Sequence, residues 1–284
     1  MNYLKNLRWN LLVGILFYFP IYLQAQNNMF RPELGVCTKV QNIPLLEQFG
    51  YQFIQPSAQD FLMPKDGSLP IEIDSKLPVF AVNSFLPSEM KAVGPQANPE
   101  VIIAYADTLF RRARQAGVKV VVFGSGNARK IPPGFDREQA EQQLVDLCVE
   151  LAKLAEQNQL ILCLENLNSG ETNLVNTVQE AHDIALRVNH PNFKLLVDIF
   201  HMLREGESPS SILEAGAYYV YHIDIAEKEN RTAPGMAGDD FRPYLRALRD
   251  ISYSGKIALE SGYTDIEAEL PKAMKELTHQ LNTL

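Results

Sequence analysis

The chain has 284 residues, with 26 basic and 34 acidic side chains and a formal net charge of −8 at pH 7. An acidic chain without basic runs argues against a nucleic-acid partner. Cys37, Cys148 and Cys163 are odd in number and lack CxxC spacing, so they read as buried thiols and not as disulfide or zinc ligands.

The first segment differs from the rest. Lys5 and Arg8 form a basic start, Leu11 to Leu23 is apolar apart from Gly14 and Pro20, and Leu23-Gln24-Ala25 supplies a small-residue cleavage pattern. This predicts a signal peptide over residues 1–25, cleaved after Ala25, and a secreted or periplasmic protein with no membrane association thereafter. The apolar run is too short for a spanning helix, which needs about 20 residues. Removing Lys5 and Arg8 leaves 24 basic against 34 acidic residues, a net charge of −10, and removes Trp9, the only tryptophan.

Residues 26–284 alternate short apolar runs with amphipathic helical patterns. The runs predicted as strands are Leu34–Cys37, Tyr51–Gln55, Val79–Asn83, Lys119–Phe123, Leu160–Leu164, Phe193–Val197, Val220–Ile223 and Lys256–Leu259. Most are solidly apolar, as parallel strands covered on both faces are. After Asn98-Pro99, apolar residues from Ile102 to Ala113 recur at helical spacing, with Asn98 as cap and Gly117 as stop. Asp136 opens a second such helix, and Ile266 to Leu281 makes the last one. Ser57–Pro64 is a weak helix. Eight βα units in one domain predict an α/β fold, a (β/α)8 TIM barrel; the alternative, a doubly wound sheet, lacks its glycine-rich first turn here.

Barrel strands deliver reactive groups at their C-terminal ends. Four consecutive runs here are each followed closely by an ionisable residue: Glu165, Asp198, His222 and Glu260. Unpaired charge at the end of an apolar strand is costly, and converging carboxylates repel one another. One divalent cation resolves both problems, and three oxygen donors with one imidazole suit manganese, magnesium, cobalt or iron.

The segments Glu165-Asn166, Asp198-Ile199-Phe200-His201, His222-Ile223-Asp224, Arg231-Thr232-Ala233-Pro234-Gly235 and Glu260 resemble the xylose-isomerase-like TIM barrels. More narrowly they are similar to the sugar phosphate isomerase/epimerase group, with its ketose 3-epimerases, hydroxypyruvate isomerase and inosose dehydratase. The resemblance implies one divalent metal on Glu165, Asp198, His222 and Glu260, manganese first, with magnesium, cobalt, iron or zinc as alternatives. It implies Glu165 and Glu260 as the catalytic acid and base, and His201, Arg231 and Glu171 as substrate contacts. The expected activity is sugar isomerisation or epimerisation through a cis-enediolate. The alternatives are an enediolate-type dehydratase or lyase on a keto-sugar or glycoside-derived substrate, and a secreted sugar-binding barrel without catalysis. The expected partner is a small sugar, and homo-oligomers are common among such barrels. The sequence departs from the family pattern in three places. Strand two ends in Gln55-Pro56 where a glutamate is usual, the Pro-Gly-x-Gly glycine is displaced by one to Gly238, and Ile223–Asn230 is long.

Overall fold

The computed structural model describes residues 30–65 and 75–284. The predicted leader, its cleavage point and Trp9 lie outside them. All eight predicted strands form: β1 Glu33–Val36, β2 Phe53–Ile54, β3 Ala81–Val82, β4 Val120–Phe123, β5 Ile161–Glu165, β6 Phe193–Asp198, β7 Val220–Ile225 and β8 Lys256–Leu259. They pair in parallel in the order β2-β1-β8-β7-β6-β5-β4-β3. Pairing of β1 with β8, from Glu33 opposite Lys256 to Val36 opposite Leu259, wraps the sheet into a barrel and excludes the doubly wound order. The remaining gap between β2 and β3 is spanned by two isolated bridges, Ile54–Val79 and Ser57–Asn83. The fold is a single-domain (β/α)8 barrel.

Helices α1 Ile43–Gln48, α2 Ala58–Phe61, α3 Pro99–Gln115, α4 Arg137–Gln157, α5 Val178–Val188, α6 Ile199–Glu205, α7 Ser210–Tyr219, α8 Arg242–Asp250 and α9 Ile266–Asn282 run between and after the strands. Local chemistry sets their starts. The Asn98 side chain accepts from Val101 N at 3.2 Å, and Asp136 accepts from Gln139 N at 2.8 Å. Packing sets their faces. Ile102, Ala106, Leu109, Phe110 and Ala113 of α3 are buried, and burying each large side chain contributes about 1.5–3 kcal/mol, more than propensity differences of about 0.7 kcal/mol. The predicted weakness after β2 is real: α2 has four residues.

Inside the barrel, Ala81, Val120, Val122, Cys163 and Leu196 form a small cluster. Beside them the rings of Phe53, Phe80 and His222 meet edge-on or tilted at 5.5–5.9 Å. Gly35 makes room for this layer, since a Cβ there would overlap the Phe53 ring. The larger core lies between strands and helices. Burial on both faces explains why the strands read as unbroken apolar runs.

Candidate active site

Glu165, Asp198 and Asp224 occupy the C-terminal ends of β5, β6 and β7, and Glu260 follows β8 directly. Asp198 and Asp224 are register partners. Ligand atoms of Glu165, Asp198 and His201 lie within 4.8 Å of one another, and so do those of Cys37, Asp224 and Glu260. Arg231 enters from the loop after β7. Its Nη2 bonds the Glu260 carboxylate and lies 3.3 Å from Asp198 Oδ2, while Nη1 is 3.6 Å from Glu171 Oε1. Three carboxylates thus gather around one guanidinium, which rests on the Phe200 ring at 4.7 Å.

The electrostatics follow from that crowding. Burial raises the Glu165 carboxyl well above its ordinary range, and Glu260, Asp198 and Asp224 push it further. Asp224 is raised well above its range by burial, then by Glu260 and Asp198. Burial also raises Asp198 and Glu260, against the pull of Arg231 on both. Burial alone would lower the Arg231 guanidinium, but Glu260, Asp198, Glu165 and Glu171 together raise it.

His201 is fully buried, and burial lowers its pKa to about 4, so it is neutral. Its Nδ1 accepts from the Asn168 backbone N–H at 3.1 Å, which places the ring hydrogen on Nε2. That nitrogen has no hydrogen-bond partner and stands 3.4 Å from Asp198 Oδ2 and 3.8 Å from Glu165 Oε1. Asp198 serves two purposes. Its Oδ1 caps α6 through Phe200 N at 2.7 Å, leaving Oδ2 for the site. Glu171 sits at the rim with its side chain 43% exposed, hydrogen-bonded to Asn168 Nδ2 at 2.9 Å.

The structure gathers Glu165, Asp198, Glu260, His201, Arg231 and Glu171, but not His222. The sequence reading ends strand seven at Ile223, whereas β7 continues to Ile225. His222 and Asp224 both face inward, and two residues of strand separate them by about 6.5 Å. His222 therefore pairs with Leu196 one layer down, and Asp224 stands at the mouth. The imidazole is spent there: its Nε2 meets Gln55 Oε1 at 2.6 Å, and Gln55 Nε2 donates to Asp224 Oδ2 at 2.8 Å. Burial, with Lys256 nearby, lowers the His222 pKa to about 3. Asp224 Oδ1 is buried without a hydrogen-bond partner.

Other residues at the site carry no motif. Cys37, read from sequence only as a buried thiol, is partly exposed at the site, unlike the buried Cys148 and Cys163, and faces Asp224 and Glu260. Burial and those carboxylates keep its thiol protonated. Asn83 Nδ2 donates to Glu260 Oε1 at 2.7 Å. Gly124, after β4, leaves the space that the Glu165 carboxylate fills. Glu227 is fully buried and collects the backbone N–H groups of Gly235 at 2.8 Å, Met236 at 3.1 Å, Ala237, Gly238 at 2.9 Å and Asp239 at 3.3 Å. This explains the displaced glycine: Gly235 and Gly238 both take positive φ, at 88° and 91°, as the loop wraps one carboxylate.

The donor set suits a divalent cation. It offers hard carboxylate oxygens in excess of local positive charge, and one of them, the buried Asp224 Oδ1, has no hydrogen-bond partner.

The family model of the xylose isomerase-like TIM barrel matches residues 45–281. The chain is 34% identical over 126 residues to the D-psicose 3-epimerase of Ruminiclostridium cellulolyticum, covering 44% of this chain and 43% of that enzyme. It is 26% identical over 238 residues to the inosose isomerase of Bacillus velezensis, covering 78% of this chain and 82% of that one. The chain therefore spans less than half the length of the first of these relatives and most of the second. A solved structure of L-ribulose 3-epimerase shares the fold with a TM-score of 0.77 at 19% identity, over 89% of this chain and 95% of that one. With the family match running from α1 to the last turn of α9 and taking in β2 to β8, the chain belongs to the xylose isomerase-like TIM barrel family.

Proposed function

We propose that the protein is a divalent-metal-dependent epimerase or isomerase of a sugar or keto-sugar, working outside the cytoplasm after loss of residues 1–25. The observation that carries this reading is the ring of Glu165, Asp198, Asp224 and Glu260 at the ends of four consecutive strands, with Arg231 among them. These four carboxylates are the groups that would hold the metal, Asp224 standing where a histidine was expected. Manganese or magnesium suits an all-oxygen set. When bound, the cation would polarise the substrate carbonyl and acidify the neighbouring C–H.

The two glutamates differ in their partners. Glu260 is oriented by Asn83 and Arg231, which favour its charged form against burial and aim it, so it takes the proton from the carbon beside the carbonyl. The Glu165 carboxylate has no hydrogen-bond donor among the described residues, and its burial favours the protonated form, so it returns a proton. Neutral His201 and cationic Arg231 donate toward oxygens that gain charge as the enediolate forms. Proton return to the opposite face of the same carbon gives an epimer. Return to the adjacent carbon interconverts aldose and ketose. The D-psicose and L-ribulose 3-epimerases among the similar proteins support the first outcome.

The test is deuterium uptake from D₂O into a panel of ketoses and aldoses, followed by NMR with the manganese-loaded protein. Uptake that needs metal and is lost in Glu260→Gln and Glu165→Gln supports the reading, and the labelled carbon distinguishes epimerase from isomerase. Sugar binding without uptake anywhere in the panel would replace it with a binding role.

A further inference from the structure

Two cavities open at the carboxylate ring, one on either side of Glu260 and Asn83, and both are lined by those two residues. One, of about 370 Å³, contains Glu165, Glu171 and Arg231. The other, of about 760 Å³, is enclosed by Thr38, Asn42, Ser57, Asp60, Phe61 and Tyr263. Ligand pockets run from about 300 to 1,000 Å³. A single small sugar against both glutamates fits the first cavity and leaves the larger one to water.

The larger cavity has its own recognisable chemistry. Tyr263 and the largely buried Phe61 supply aromatic carbon to its lining, set among hydroxyl, amide and carboxylate groups. Aromatic faces take the C–H side of a pyranose while short polar side chains take its hydroxyls. Its charged lining is Lys39 against Asp60 and Glu260, and the smaller cavity sets Arg231 against Glu165, Glu171 and Glu260. Both balances repel a phosphate. From these observations we infer that the substrate is a neutral glycosylated keto-sugar, its reacting unit in the smaller cavity and its second sugar ring in the larger. This inference rests on the proton-transfer reading for the reacting unit alone; the second ring's site stands on the larger cavity's lining.

The probes are D-fructose and maltulose, a fructose carrying a glucosyl group at O4, titrated calorimetrically into the manganese-loaded protein. Deuterium exchange is followed on the same samples. The expected result is at least tenfold tighter binding of maltulose. Thr264→Trp, which narrows the larger cavity at an exposed position, should abolish that preference and leave fructose affinity within twofold. Ser88→Trp, on the smaller cavity, should weaken both sugars. Equal affinity for the two sugars, or a Thr264→Trp that weakens both alike, overturns the inference even if both exchange deuterium. A maltulose preference that Thr264→Trp abolishes, with no exchange into either sugar, upholds the two-ring site and overturns the proton-transfer reading instead.

Discussion

The carboxylate of Glu165 occupies the space that a side chain on Gly124 would need: a Cβ there would overlap Glu165 Oε2. The reactive position on β5 is therefore defined by an absence just after β4. Gly124→Ala is predicted to fold normally and lose about 100-fold in kcat/KM, the scale at which a displacement of about 1 Å acts. Circular dichroism and deuterium exchange kinetics check this together. Full activity in a folded variant would mean that Glu165 has another workable rotamer.

Asp224 supplies a second prediction. Its folded pKa is raised, so without metal it costs stability when charged and regains it as pH falls toward its folded value. Asp224→Asn removes that charge. The metal-free variant is expected to melt at least about 2 °C above the wild type at pH 8, corresponding to about 1 kcal/mol, with the gap closing as pH falls through the raised folded value toward the ordinary carboxylate range. Manganese should bind the variant at least tenfold more weakly. The comparison cancels the opposing contribution of His201 and His222, whose lowered pKa values give stability that is lost as pH falls below the ordinary histidine range.

Glu227→Gln tests the loop that carries Arg231. An amide presents hydrogens where five backbone N–H groups seek an acceptor. The melting temperature should fall by at least about 3 °C, from the loss of charge-assisted hydrogen bonds. Hydrogen exchange should quicken at residues 235–239. Because Arg231 loses its aim, KM is expected to rise at least tenfold with a smaller change in kcat; an unchanged KM would detach the loop from substrate binding.

The export reading predicts a mature chain beginning at Gln26. Intact-mass measurement of protein recovered from the periplasm or medium of an expressing bacterium checks it, and a full-length product retained in the cytoplasm would retire it.

The barrel was legible because its strands are buried on both faces and its helices carry one apolar stripe, so period and run length suffice to place them. Glu165, Asp198 and Glu260 were legible because each follows a run that stops with it. His222 misled for the same reason. An ionisable residue three places before the true end of β7 looks like the end, and only the register with β6 shows Asp224 to be the group at the mouth. Gln55, Asn83, Cys37 and Glu227 left no local signal. Their roles arise from contacts between segments far apart in sequence, as between Gln55 and Asp224, 169 positions away.

The strands that carry the carboxylates are not paired like the ones facing them. From β4 to β8 each neighbour pair shares four register positions, whereas β1 with β2 and β3 with β4 share two and the β2–β3 gap has only isolated bridges. The molecule is thus divided into a stiff half-wall that keeps charge in place and a seamed half-wall that shapes the larger cavity. Insertions and substitutions along the seam disturb few ladder bonds. Such a protein can change what it recognises while leaving the machinery opposite untouched, so relatives with divergent substrates should differ most at the ends of β1 to β3.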